Sequence, residues 1–250
     1  MKFPLRWMIC AALACTAPAI ARADEVRVLA AGAAKAALEK LAPAFQSATG
    51  HTMLASFDTV GAQRDRVLKG EAADLVVLSD SAIAQLATAG RLTGEQRQFI
   101  GRVAVSLAVR SGAAVPDITT PEALKLALQQ APTIAYADPA RGATAGTHFD
   151  KVLHALAIKD SLAPRLHVLP FGVDVIKDVS TGKYAMGVSQ SSEILQHEGI
   201  TMVGPLPPPY ALTTGYSAAV TSARPAAELL LQFLATAPAA AQFRATGFLQ

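Results

Sequence analysis

Cysteine is almost absent from this sequence, and its placement excludes more than it allows. The two cysteines, Cys10 and Cys15, both fall within residues 1–23. That stretch starts with Lys2 and Arg6, continues through a mostly apolar run from Trp7 to Ile20, and ends in Ala21-Arg22-Ala23, a small-x-small cleavage site. This is the pattern of a secretory signal peptide, with an apolar core too short to span a membrane. Cleavage there leaves no cysteine, so the exported chain has no disulfide and no thiolate site, and a packed core must supply its stability. Leu13-Ala14-Cys15 offers a rival cleavage reading, a lipoprotein acylated at Cys15. A soluble periplasmic product is the expectation here.

Excess charge of either sign is missing as well. The leader holds three of the 22 basic residues, Lys2, Arg6 and Arg22, and none of the 19 acidic ones, which leaves 19 of each. A balanced chain has no electrostatic footprint for nucleic acid. No later apolar run reaches spanning length. His51, His148, His154, His167 and His197 are scattered, without metal-ligand spacing to a carboxylate, so no metal is expected. Ser189, Ser191 and Ser192 have no Gly-x-Ser-x-Gly frame, and the Gly142 to Gly146 run lacks the lysine and spacing of a phosphate loop. No cofactor is expected, and a secreted enzyme is the least favoured functional reading.

What is present is a repeated strand-to-helix rhythm. Val26 to Ala31 is an apolar run broken only by Arg27. Gly32 follows, and then Leu38, Leu41, Ala42 and Phe45 fall on one helical stripe, the spacing of a helix with one buried face. Such a helix start leaves free backbone N–H groups beyond the strand end, where an anion can bind. Pro43 lies inside this pattern and predicts a kink or break. His51 to Phe57 and Asp74 to Ser79 read as further strands, each followed by a helix. A second set begins with a strand at Val103 to Val109, continues with helices from Pro121 and near Thr144, and has strands at Thr133 to Ala137, Arg165 to Leu169 and Tyr184 to Ser189. Pro205, Pro207, Pro208 and Pro209 mark a crossover or hinge. Tyr210 to Val220 returns as a strand before two closing helices. The expectation is an α/β protein of two lobes, 24–102 plus 210–250 and 103–209, each a mixed sheet flanked by helices, with a ligand cleft between them.

Ala30-Ala31-Gly32, Ser56-Phe57, Gly70-Glu71-Ala72-Ala73-Asp74-Leu75, Asp138-Pro139 with Ala145-Gly146, Gly187-Val188 and Thr246-Gly247-Phe248 stand in an order that resembles the periplasmic molybdate-binding proteins of ABC importers, within the type II periplasmic-binding-protein fold. The resemblance covers the whole mature chain. It implies a monomer that takes a small anion to a membrane permease. It also implies a tetrahedral oxyanion held by two serine hydroxyls, backbone N–H groups at helix starts, and a tyrosine from the second lobe.

Carried over by position, the serines fall at Ala33 and Val60, the tyrosine at Gln190, and the backbone contacts near Thr144, Ala145 and Gly172. All three side-chain ligands are replaced, which marks a divergent branch. Backbone donors at Ala33, Gly61, Ala145 and Val173 need no particular side chain. The Gln190 amide and the Thr59 or Thr144 hydroxyl can replace lost donors. The first functional reading is capture of a molybdate-like oxyanion. The alternative keeps the receptor and makes the ligand a small organic carboxylate, anchored by Gln190 and by Arg141, whose guanidinium can clamp a carboxylate but can equally be a solvated loop residue.

Overall fold

The computed structural model describes residues 23–249; the expected signal peptide, Cys15 included, lies outside the described residues except for Ala23. β1 (Glu25–Ala31) runs through a 3-10 turn (Gly32–Ala34) into α1 (Lys35–Thr49). β2 (Thr52–Asp58), α2 (Val60–Leu68), β3 (Leu75–Ser79) and α3 (Asp80–Thr88) repeat the rhythm. β4 (Arg97–Arg110) leads to α4 (Pro121–Gln130), β5 (Ile134–Ala137), α5 (Thr144–Ala155), α6 (Lys159–Leu162) and β6 (Leu166–Leu169). Then come α7 (Gly172–Ser180), β7 (Met186–Gln190), α8 (Ser191–Ile194), β8 (Ile200–Pro205), β9 (Thr213–Val220), α9 (Pro225–Leu234) and α10 (Ala237–Ala245).

The strands follow the order β2-β1-β3-β9-β4-β7-β5-β6, with β8 also on β4. β1 is parallel to both β2 and β3, while β9 is antiparallel to β3. In the other half β5 is parallel to both β6 and β7. β4 belongs to both halves: Arg97 to Ala104 pair with β9, and Val105 to Val109 pair with β7. The hydrophobic core divides at the same place. Val103 packs with Phe45, Leu75, Leu86 and Phe243 in one cluster, whereas Val105 packs with Leu124, Phe149, Leu162 and Val188 in another. Side chains alternate across a strand, so Ala108 faces the opposite side from Leu107 and joins Ala135, Val175 and Ile176 under α7. The fold is therefore a two-lobed mixed α/β architecture with a strand threading both lobes. Among the described residues no helix is long and apolar enough to cross a membrane.

Two local expectations are corrected. α1 passes through Pro43 without a break. Proline in a helix interior costs about 3 kcal/mol, but Leu38, Leu41 and Phe45 are all buried on that helix, and each such side chain contributes about 1.5–3 kcal/mol. β4 starts at Arg97 rather than Val103, because its first half is a polar-tinged run, Arg97, Gln98 and Arg102, that becomes strand only by pairing with β9.

Candidate functional site

The parallel strands aim their C-terminal ends at the gap between the lobes. Ala31 and Asp58 end side by side in register, as do Ala137 and Leu169. A cavity of about 310 Å³ lies there. Four helical segments open onto it, at Gly32, Val60, Thr144 and Gly172. First-turn N–H groups have no partner within their own helix, and the helix dipole adds positive potential at that end. The walls between these starts are apolar, with Phe57, Val60 and Phe171 among the lining residues.

Of the residues expected from sequence, Ala33, Thr59 and Val60 line the cavity from the first lobe, and Thr144, Ala145, Gly172, Val173 and Gln190 from the second. Gly61 and Arg141 do not line it; they hold the lobes together. Arg141 Nη2 donates to both Asp58 oxygens, at 2.8 and 3.1 Å, and the guanidinium lies 5.0 Å from the Phe171 ring centroid. The Gly61 N–H donates to the Gly142 carbonyl at 3.1 Å. The Thr59 hydroxyl donates to the Arg141 carbonyl, so it too is taken up by the lobe contact. A Cβ on Gly61 would stand 2.8 Å from the Gly142 Cα. The absence of a side chain there is what lets the two backbones meet.

Three lining residues, Gln190, Glu193 and Tyr216, form the polar floor. Gln190 ends β7 and is only 4% exposed, yet neither atom of its carboxamide has a hydrogen-bond partner. Glu193, half-buried, lies one helical turn later on the same floor. Its Oε2 accepts from the Ser189 hydroxyl and, at 3.3 Å, from the Gln190 backbone N–H. Burial pushes the Glu193 carboxyl above the usual carboxylate range, with those two bonds opposing the shift. Tyr216, on β9, is fully buried against Phe248, ring centroids 5.9 Å apart. Its phenol is pushed up by burial and by the neighbouring Glu193, with Thr144 and Gln190 as its polar neighbours.

Sequence reasoning missed Glu193, Tyr216, Lys35 and Asp58. A signal for Glu193 was available: Gln190-x-x-Glu193 has the spacing by which an N3 carboxylate caps the N-cap backbone, and Glu193 does cap Gln190. Tyr216 left no such trace, since it reaches the cavity only because β9 returns between β3 and β4. Among the described residues no group of three His, Cys, Asp or Glu is placed to hold a metal ion.

The sequence profile of the family described as bacterial extracellular solute-binding protein matches residues 26–249. An aconitate isomerase from a Pseudomonas species is 31% identical over 229 residues, covering 88% of this chain and 86% of that protein. The periplasmic molybdate-binding protein of Azotobacter vinelandii has the same fold, with a TM-score of 0.71 at 21% identity over 90% of this chain and 99% of that one. The sulfate-binding protein of Mycobacterium tuberculosis follows at 0.67 and 20% identity, covering 90% and 86%.

Proposed function

The chain belongs to the bacterial extracellular solute-binding protein family, and from that premise we propose that it is the periplasmic receptor of an ABC importer, capturing a small organic polycarboxylate between its lobes. In this reading residues 24–102 with 210–250 form one lobe and 103–209 the other, and the loaded monomer delivers its ligand to a membrane permease. The observation that carries the ligand class is the cavity itself. Its volume of about 310 Å³ is roughly ten water volumes, more than one compact oxyanion fills. Helix starts stand on both walls, with Phe57, Val60 and Phe171 between them. Two separated carboxylates and a short carbon skeleton fit that pattern; a compact oxyanion reaches only part of it. The side chains at Ala33 and Val60 offer no hydroxyl. The aconitate isomerase similar to this chain acts, by its name, on a tricarboxylate, which supports the same class. Closure follows because a ligand touching both walls gains contacts only when the lobes meet.

A thermal-shift panel of molybdate, tungstate, sulfate, and di- and tricarboxylates tests this. A ligand at a hundredfold its Kd stabilises by about 2.7 kcal/mol, which for a chain of this size is roughly 5–10 °C. The expected result is a shift of that size from a polycarboxylate and none from the oxyanions. A shift from molybdate or tungstate alone restores the oxyanion reading.

The similarity to an isomerase favours one second reading, interconversion of the bound tricarboxylate. That reaction moves one hydrogen between carbons with no net gain or loss, and Glu193 is a lining carboxyl with no cation paired to it among the described residues. Proton NMR of trans-aconitate incubated with the protein separates the readings: an unchanged spectrum leaves a receptor, and the appearance of the cis isomer makes an enzyme.

A further inference from the structure

A carboxyl is an unexpected wall for a cavity that several helix starts make attractive to anions. Glu193 is nonetheless held there deliberately. Oε2 carries both of its hydrogen bonds, from the Ser189 hydroxyl and the Gln190 N–H. Oε1 receives none from the described residues and faces Gly32, where an added Cβ would stand 2.9 Å away; both residues line the cavity. With two donors occupying Oε2, a proton on this carboxyl sits on Oε1, on the cavity side.

We propose that Glu193 binds the ligand in its protonated form, donating from Oε1 to a carboxylate of the bound anion, so that capture takes up one proton. This rests on the polycarboxylate reading above and adds to it a specific partner and a pH dependence. Burial already favours the neutral carboxyl in the free protein. An ionised Glu193 would instead repel the like charge of the ligand.

Among the described lining residues Lys35 is the one cation, and it is shared with Glu39 on the exposed side of its helix. On β9, Tyr216 stays neutral because burial raises its phenol. On β2, Asp58 is paired with Arg141, and on α1, Lys35 is paired with Glu39. The walls from β7, α5 and α7 present Ser189, Gln190, Thr144, Gly172 and Val173, none of them ionisable. The adjacent Gln190 carboxamide lines the same floor and carries both a donor and an acceptor, able to donate to a carboxylate and to accept from a hydroxyl or protonated carboxyl.

The sign of the linkage follows. Ligand binding raises the proton affinity of Glu193, so affinity is highest at low pH and falls as pH rises past the value of the free carboxyl, by up to about tenfold per unit for one linked proton. The test is titration calorimetry with trans-aconitate between pH 6 and 9, in two buffers of different ionisation enthalpy, on the wild type and Glu193→Gln. The amide keeps a donor and cannot titrate. Any proton carried by trans-aconitate itself appears in both proteins and drops out of the difference. The expected result is about one more proton taken up by the wild type than by the variant within that range, together with a flatter affinity profile for the variant. Equal uptake and parallel profiles, with binding intact, overturn the role of Glu193 and leave the polycarboxylate reading standing. Absence of trans-aconitate binding at every pH in both proteins overturns the proposal together with that tricarboxylate.

Discussion

Arg141 carries the only positive side chain in the loop from Asp138 to Gly146, which makes it a natural candidate for an anion clamp. Its guanidinium is instead engaged by Asp58 from the other lobe, in a pair whose side chains are 38% and 21% exposed. Ion pairs this accessible to solvent contribute about 0–1 kcal/mol. Arg141→Ala is therefore expected to weaken polycarboxylate binding by less than about tenfold, chiefly through faster release in stopped-flow measurements; complete loss of binding would return Arg141 to the ligand. The same comparison shows what a single residue reveals from sequence. Thr59, Thr144 and Gln190 could be placed near a ligand because helix starts and strand ends are legible locally. Which hydroxyl is free and which is taken up by a lobe contact depends on residues about 80 positions away in sequence.

At the scale of elements, the strand–helix alternation was readable almost throughout, because buried parallel strands and amphipathic helices each leave a distinct periodicity. The exceptions have a physical cause. α1 tolerates Pro43 because its buried stripe outweighs one lost hydrogen bond, and the polar half of β4 becomes strand only when β9 pairs with it. The start of α5 shows how tightly the site depends on packing between elements. Gly146 lies against β5 so closely that a Cβ there would collide with the Ala137 carbonyl. That approach fixes Thr144 and Ala145 at the cavity wall. Gly146→Ala is expected to destabilise by about 1–3 kcal/mol through overpacking, lowering the melting temperature by roughly 3–10 °C, as differential scanning calorimetry would register. An unchanged melting temperature would mean that α5 can shift away from β5.

For the whole molecule, the two lobes meet where the Gly61 N–H donates to the Gly142 carbonyl, and in the receptor reading this contact belongs to the closed form. Gly142 has φ +71°, a left-handed conformation that favours glycine, while Gly61 sits in the first turn of α2 without positive φ. Gly61→Ala can therefore fold, but its methyl would stand against the Gly142 backbone and hold the lobes apart. An overpacking penalty of about 1–3 kcal/mol on the closed state alone weakens ligand binding by about tenfold or more. Small-angle scattering should show the variant more expanded than the wild type at saturating trans-aconitate, with little change in its melting temperature without ligand. Equal dimensions would show that the lobes close by another route.

The sequence by itself determined most of the periodic elements and the placement of both cysteines within residues 1–23, because each of these is encoded in neighbouring residues. Tertiary structure alone decided which groups line the cavity floor. Glu193, Tyr216 and Gln190 come from β7, α8 and β9, and converge because β9 inserts between β3 and β4 while β4 carries the chain from one lobe to the other. Burial raises the Glu193 carboxyl and leaves Gln190 unpaired. Those properties arise from removing water around residues far apart in the chain, and no local pattern in the sequence encodes them.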